Sequence, residues 1–187
     1  MSTAVLPQCP PAFRNIFSTA PDHSDPSEKT GTQPFWSDRL QAIFEFAPKS
    51  PTKFTNIPID RHKYVSIGTR KPDTVHYVPG TQLKCVTAEC NIVMLGDTKK
   101  LRSENSNDFT DEEKGHLVDF LIALLKVQTF RTPRRARGYL TDGVVIQFFE
   151  VELDASNVIT SFDESKVMEV FADGADWLYH CLVSSRE

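Results

Sequence analysis

Apolar and polar positions along this chain follow two rhythms, and each change of rhythm marks an element. In "PFWSDRLQAIFEFAP" apolar side chains fall at 36, 40, 43, 44 and 47, the spacing of one helix face, and Pro48 stops the run. "HKYVSIGT" and "TVHYV" are short and β-branched, and Pro79-Gly80 closes the second as a turn. "QLKCVTAE" follows, then "NIVMLGD", whose unbroken apolar run fits a strand buried on both faces. Thr110 and Glu113 have the spacing of a capping box. They predict a helix through "KGHLVDFLIALLKVQ" with Leu117, Phe120, Leu121, Leu124 and Leu125 along one side. "YLTDGVVIQFFEVEL" predicts a hairpin turning at Asp142-Gly143 in a type I′ turn. Residues from about 163 to 184 read as a last helix burying Val167, Val170, Phe171, Leu178 and Leu182, with Gly174 as a kink.

The order helix, three or four strands, helix, two strands, helix predicts an α/β or α+β arrangement around one sheet. A single domain over 34–187 is expected. Residues 1–33, rich in Pro, Ser, Thr and charge, are expected to form a flexible tail in which only Phe13, Ile16 and Phe17 offer an anchor. A hydrophobic share of 40% with 13 Phe supports a folded core. The net charge of −4 supplies no overall basic field, so phosphate affinity has to come from a local patch or a bound metal. Cys9, Cys85, Cys90 and Cys181 are too scattered for a disulfide framework and read as free thiols in a reducing compartment. No stretch approaches the ~18 apolar residues of a membrane span. "MSTAVLPQCPP" is too short and proline-broken for a signal peptide.

The chain has no phosphate loop, no dinucleotide fingerprint, no Gly-x-Ser-x-Gly elbow and no His-Glu-x-x-His. Its candidate chemistry lies in "RKPDTVHYVPG" and "NIVMLGDTKK". Strand alternation puts Asp97 and Lys99 on one face and Thr98 on the other, and Asp73 opens a strand able to lie beside them. Two converging carboxylates repel unless a cation sits between them, for which Mg²⁺ or Mn²⁺ is suited. A lysine beside the ion would orient water or neutralise charge building on phosphorus. Of three acid-x-Lys triplets, Glu112-Glu113-Lys114 and Glu164-Ser165-Lys166 fall on predicted helix starts, so only Asp97-Thr98-Lys99 ends an apolar strand. The plain alternative is that both aspartates serve local turn hydrogen bonds and the lysines are solvated. "RTPRRAR" carries Arg131, Arg134, Arg135 and Arg137. With Lys99, Lys100 and Arg102 it is either a solvated cluster or a basic loop contacting nucleic-acid phosphates. His116 precedes an apolar helix face, and a surface or half-buried position is its ordinary fate. Phe148 and Phe149 are expected in the core.

Pro72-Asp73 with Asp97-Thr98-Lys99 resembles the PD-(D/E)XK signature of restriction-endonuclease-like nucleases. The run "GHLVDFLIALLKVQTFRTPRRARGYLTDGVVIQFFEVE" is similar to the nuclease-like domain of Crinkler-type proteins. The resemblance covers about residues 35 to 155. It implies a restriction-endonuclease-like core, a central mixed sheet flanked by helices. Asp73 and Asp97 would be Mg²⁺ (or Mn²⁺) ligands and Lys99 the catalytic lysine. A first-helix acid often joins the ligands; Glu45 is the candidate and Asp38 the reserve. His116 holds the helix position where many members place a site-facing Gln. The implied activity is metal-dependent hydrolysis of nucleic-acid phosphodiesters, with DNA ahead of RNA as partner. The implied setting is intracellular, nucleus or cytoplasm, including delivery into a host cell as an effector. Two alternatives stand beside it: an inactive nuclease-fold module binding protein or nucleic acid, and an assembly subunit whose tail docks a protein partner.

Overall fold

The computed structural model of the chain describes residues 8–21, 24, 27–60, 67, 71–80, 91–102 and 108–184. The strands expected in "QLKCVTAE" and, apart from Ile67, in "HKYVSIGT" lie outside the described residues, as do Cys85 and Cys90. Four α-helices are described: α1 (Pro11–Arg14), α2 (Gln33–Phe46), α3 (Asp111–Val127) and α4 (Ala175–Val183). The strands are β1 (Ile57–Asp60), β2 (Thr74–Tyr77), β3 (Ile92–Thr98), β4 (Arg135–Thr141), β5 (Val145–Leu153), β6 (Ile159–Glu164) and β7 (Met168–Glu169). They form one seven-stranded sheet in the order β1-β2-β3-β4-β5-β6, with β7 pairing β5. The β3–β4 pair is parallel and the other ladders are antiparallel, so the sheet is mixed and the class is α+β. Parallel pairing needs a crossover, and α3 is that crossover.

Alternation along the strands divides the core in two. Val75, Leu95, Leu140, Phe149 and Val151 face α3 and meet its buried stripe of Leu117, Leu121, Leu124 and Leu125. Met94, Tyr139, Ile146 and Phe148 point the other way, into a cluster with Phe13, Trp36, Ile43 and Leu178. Phe148 and Phe149, neighbours in sequence, therefore fill opposite halves. The capping box at the start of α3 forms as expected: Glu113 N donates to Thr110 Oγ1, and Thr110 N donates to Glu113 Oε2 at 2.8 Å. Such a cap contributes roughly 1 kcal/mol.

Three expectations change. The N-terminal segment, where it is described, docks through the three residues expected as an anchor, and more firmly than a flexible tail would. Residues Pro11–Arg14 are helical, Phe13 and Phe17 are buried, and Ile16 packs against the same cluster. The hairpin turn is not type I′, because Gly143 has a positive φ (87°) while Asp142 does not. Asp142 Oδ1 instead accepts from the backbone N–H groups of Val144 (3.0 Å) and Val145 (2.9 Å), so the side chain builds the turn. The last helix is shorter than expected: a π-helical turn over Val170–Gly174, broken at Ala172, leads into α4 at Ala175. Upstream, β6 pairs the second half of β5 and β7 its first two residues, satisfying ladder groups that a helix would leave open. Phe171, expected inside, is 46% exposed.

Tyr139 ties β4 to α2 and to β2. Its hydroxyl lies 3.3 Å from Trp36 Nε1, which donates to it, and 3.2 Å from His76 Nε2. Burial pushes the His76 imidazole down to about 3, so the ring is neutral. The Tyr139 ring occupies the space where residue 96 would carry a Cβ: an added methyl would stand 2.4 Å from Cζ. Gly96→Ala is thus expected to lower stability by about 1–3 kcal/mol, read as a fall in the denaturation midpoint. A variant as stable as wild type would show that Tyr139 moves freely.

Candidate functional site

Antiparallel pairing sets Thr74 opposite Gly96, and one further step of that register puts Asp73 opposite Asp97. Directly opposed side chains in such a pair have Cβ atoms about 4.5–5.5 Å apart. Asp97 shares the α3 side of the sheet with Leu95. Two residues on, Lys99 projects to the same side, and its Nζ stands 2.6 Å from Asp97 Oδ2. Thr98, pointing away, contributes through its backbone: its N–H donates to Asp73 Oδ2 at 2.9 Å. Parallel pairing with β4 extends the hold, since Lys99 N donates to the Thr141 carbonyl at 2.7 Å. Asp97 (4% exposed) and Lys99 (9%) are buried. The triplet is therefore fixed by the sheet on both flanks.

Gln33, at the start of α2, completes the setting of Asp73 by donating from Nε2 to Oδ1 at 2.8 Å. Nothing in the spacing of the sequence marks this glutamine, because only the fold brings position 33 to position 73. Burial, then the neighbouring Asp97 carboxylate, pushes the Asp73 carboxyl up to about 7. Glu28, in the wide turn Glu28–Thr32 leading into α2, adds a smaller push in the same direction. Asp97 Oδ2 accepts no aligned hydrogen bond, and its close contact with Lys99 is an ion pair. The result is a carboxylate pair, Asp97 buried and Asp73 half-buried, with one amine beside it.

Other predicted residues divide sharply. His116, on the first turns of α3, reaches the site: its Nδ1 is 3.4 Å from Asp97 Oδ2 and its side chain is 51% exposed. Its ring leans on Phe120, with centroids 4.5 Å apart. The solvent-facing wall of the site is thus a histidine. Glu45 does not join the carboxylates. It is exposed near the end of α2, accepts from Gln41 Nε2 at 2.9 Å, and lies twelve residues from Gln33, about 18 Å along a helix axis. Asp38 is exposed on the same helix. Among the described residues, no three His, Cys, Asp or Glu side chains gather in metal-binding geometry.

The arginines are not a loop clasping the site. Arg135 and Arg137 belong to β4, on the face opposite Leu140 and therefore opposite Asp97. Arg135 pairs with Glu150 (3.2 Å) and Glu152 (2.8 Å), and Arg137 with Glu150 at 2.5 Å. Arg134 donates to the carbonyls of Asp154 (2.6 Å) and Leu125 (2.9 Å), and Arg131 to that of Ile92. Arg102 links α3 to the β4–β5 turn through Glu113 at 2.6 Å and Asp142 at 3.8 Å, with its guanidinium over the Phe109 ring. Lys100, exposed just past β3, is the predicted contact residue left nearest the site.

A family model described as "Domain of unknown function (DUF6826)" matches residues 31–131. This is more than half of the 187-residue chain. The chain belongs to the DUF6826 family. The matched segment holds Gln33, Asp73, Asp97, Lys99 and His116, and it ends before β4. No curated protein and no solved structure matches this DUF6826 chain. Among its described residues, no helix is long and apolar enough to cross a membrane.

The raised Asp73 carboxyl has a consequence for stability. Its ordinary value is 3.8, so the folded chain holds this proton more tightly than the unfolded chain. Stability from this group is full below its ordinary value and is lost as pH rises through about 7. Asp73→Asn is expected to flatten that decline between about pH 4 and 7. Its baseline should drop, because Asn offers one acceptor oxygen to two donors. Thermal denaturation against pH reads the slope, and equal slopes in both proteins would contradict the acid pair.

Proposed function

We propose that the chain is a metal-dependent phosphodiesterase of the nuclease type, acting on nucleic acid through Asp73, Asp97 and Lys99. The observation that carries this reading is the facing pair of carboxylates on adjacent rigid strands, with Lys99 Nζ 2.6 Å from one of them. The donor set suits Mg²⁺, which is often held by one or two carboxylates with water and substrate phosphate completing the shell. Asp97 Oδ2, buried beside Lys99 Nζ, would exchange that ion pair for the cation. Such an ion, when bound, would polarise a phosphate oxygen and lower the pKa of coordinated water. The protein groups have separate tasks. Gln33 and the Thr98 N–H keep both Asp73 oxygens oriented. Lys99 supplies positive charge where negative charge grows on phosphorus. His116, half-exposed beside Asp97, stands on the solvent side, where a leaving oxygen would need a proton. The restriction-endonuclease-like core and the intracellular, host-directed setting belong to the same reading.

A second reading is an inactive nuclease-fold module that binds protein or nucleic acid. It draws support from the ion pair that already occupies Asp97 and from the lack of a third acidic or histidine ligand among the described residues. Incubation with supercoiled plasmid, single-stranded DNA and RNA in Mg²⁺ or Mn²⁺ separates the two. The active reading expects cutting that EDTA stops. Binding to any of these substrates with no cutting in either metal would favour the module.

A further inference from the structure

On the sheet face opposite Asp97, a cavity of about 310 Å³ opens where β3 and β4 begin beside α4. Arg131, Arg135 and Arg137 line it together with Met94, Phe130 and Cys181, and among the described residues no aspartate or glutamate does. Glu150 and Glu152 sit outside the lining and hold Arg135 and Arg137 through their Nε edges. The polar contacts of Arg137 run through Nε, its Nη groups form no hydrogen bond or ion pair with another described residue, and its side chain is 47% exposed. Phe130 is 62% exposed, a flat apolar surface left in water at the rim. Burial pushes the Cys181 thiol up to about 11, so it adds no negative charge to the floor.

Three arginines line one concave space, and Arg137 keeps Nη groups that no described carboxylate pairs, an arrangement that suits an oxyanion. An exposed ring and a Met94 floor select a flat organic group attached to it. We propose that this cavity binds a small phosphate monoester, with its phosphate on the Nη groups of Arg137 and its organic group against Phe130. The site is independent of the carboxylate pair. Met94 and Arg137 are register partners three positions before Asp97 and Leu140, and Arg137 projects to the other face.

Calorimetric titration of the whole chain with phenyl phosphate in EDTA tests this. Wild type should bind, and inorganic phosphate should bind more weakly. Arg137→Gln should weaken phenyl phosphate about tenfold or more, with an unchanged far-ultraviolet circular dichroism spectrum. Phe130→Ala removes only an exposed ring, so it keeps the test valid if Arg137→Gln misfolds; it should weaken phenyl phosphate while leaving inorganic phosphate unaffected. Asp97→Asn should bind like wild type, which distinguishes this cavity from a phosphate held at the carboxylate pair. The proposal is overturned if phenyl phosphate fails to bind at millimolar concentration. It is also overturned if inorganic phosphate binds as well, if neither Arg137→Gln nor Phe130→Ala alters binding, or if Asp97→Asn abolishes it.

Discussion

Asp97→Ala is expected to reduce metal-dependent cleavage of nucleic acid by at least about 10³-fold while leaving the chain folded. The loss follows from position. Asp97 is the member of the pair that touches both Lys99 and His116, so its removal takes away one metal oxygen and the anchor of the lysine together. Folding should survive because two changes oppose each other. Lys99 loses its counter-ion, but the Asp73 carboxyl loses the repulsion that helps hold it near 7, and Lys99 becomes free to pair with it. Asp97→Asn retains the shape and tests the charge alone. A fall in kcat with substrate affinity retained would place the loss in the chemical step. Cleavage at the wild-type rate in either variant, with the fold intact, rules the pair out of catalysis.

Phe13→Ala should carry the largest cost in stability, about 3–5 kcal/mol. Phe13 is fully buried and meets four aromatic rings, those of Phe17, Phe46, Phe54 and Tyr179, at centroid distances of 5.7, 5.7, 6.4 and 5.0 Å. These rings come from the N-terminal segment, α2, the segment before β1, and α4, so the side chain joins elements far apart in sequence. The Arg14–Asp176 ion pair at 2.6 Å fastens the same segment from outside. Urea denaturation gives the difference directly. A midpoint within experimental error of wild type would mean that the segment carries no load, as the tail reading of the sequence expects.

The parts of the fold that were legible in sequence are those whose information is local. α3 announces itself by a cap and an apolar stripe within one run, and β3 by an unbroken apolar stretch ending in charge. The placement of Asp97 and Lys99 on one face needs only strand alternation. The parts that were not legible depend on partners distant in sequence. "KVMEVF" carries helix-spaced apolar residues, yet Met168 pairs Ile146 because β5 has ladder groups to satisfy. Glu45 has the right chemistry on the right helix, but periodicity does not say which end of α2 meets the sheet. Gln33 does, at that helix's other end. The arginine run is legible when it is set beside the glutamates of the next strand. Arg135-Ala136-Arg137 and Glu150-Val151-Glu152 are mirror patterns about a turn at residues 143 and 144, and a hairpin folded there aligns Arg135 with Glu152 and Arg137 with Glu150. The two runs together place those arginines on a strand, on the face away from Asp97, rather than on a loop at the carboxylate pair.

Crystals of the wild-type chain soaked in Mn²⁺ and measured at the manganese absorption edge locate the ion directly. The account predicts one anomalous peak between the two strand-borne carboxylates, roughly 2.1 Å from an oxygen of Asp73 and of Asp97, as hard octahedral cations require. Data showing no peak there at saturating Mn²⁺, or the ion bound elsewhere with the Asp97–Lys99 ion pair intact, would contradict it.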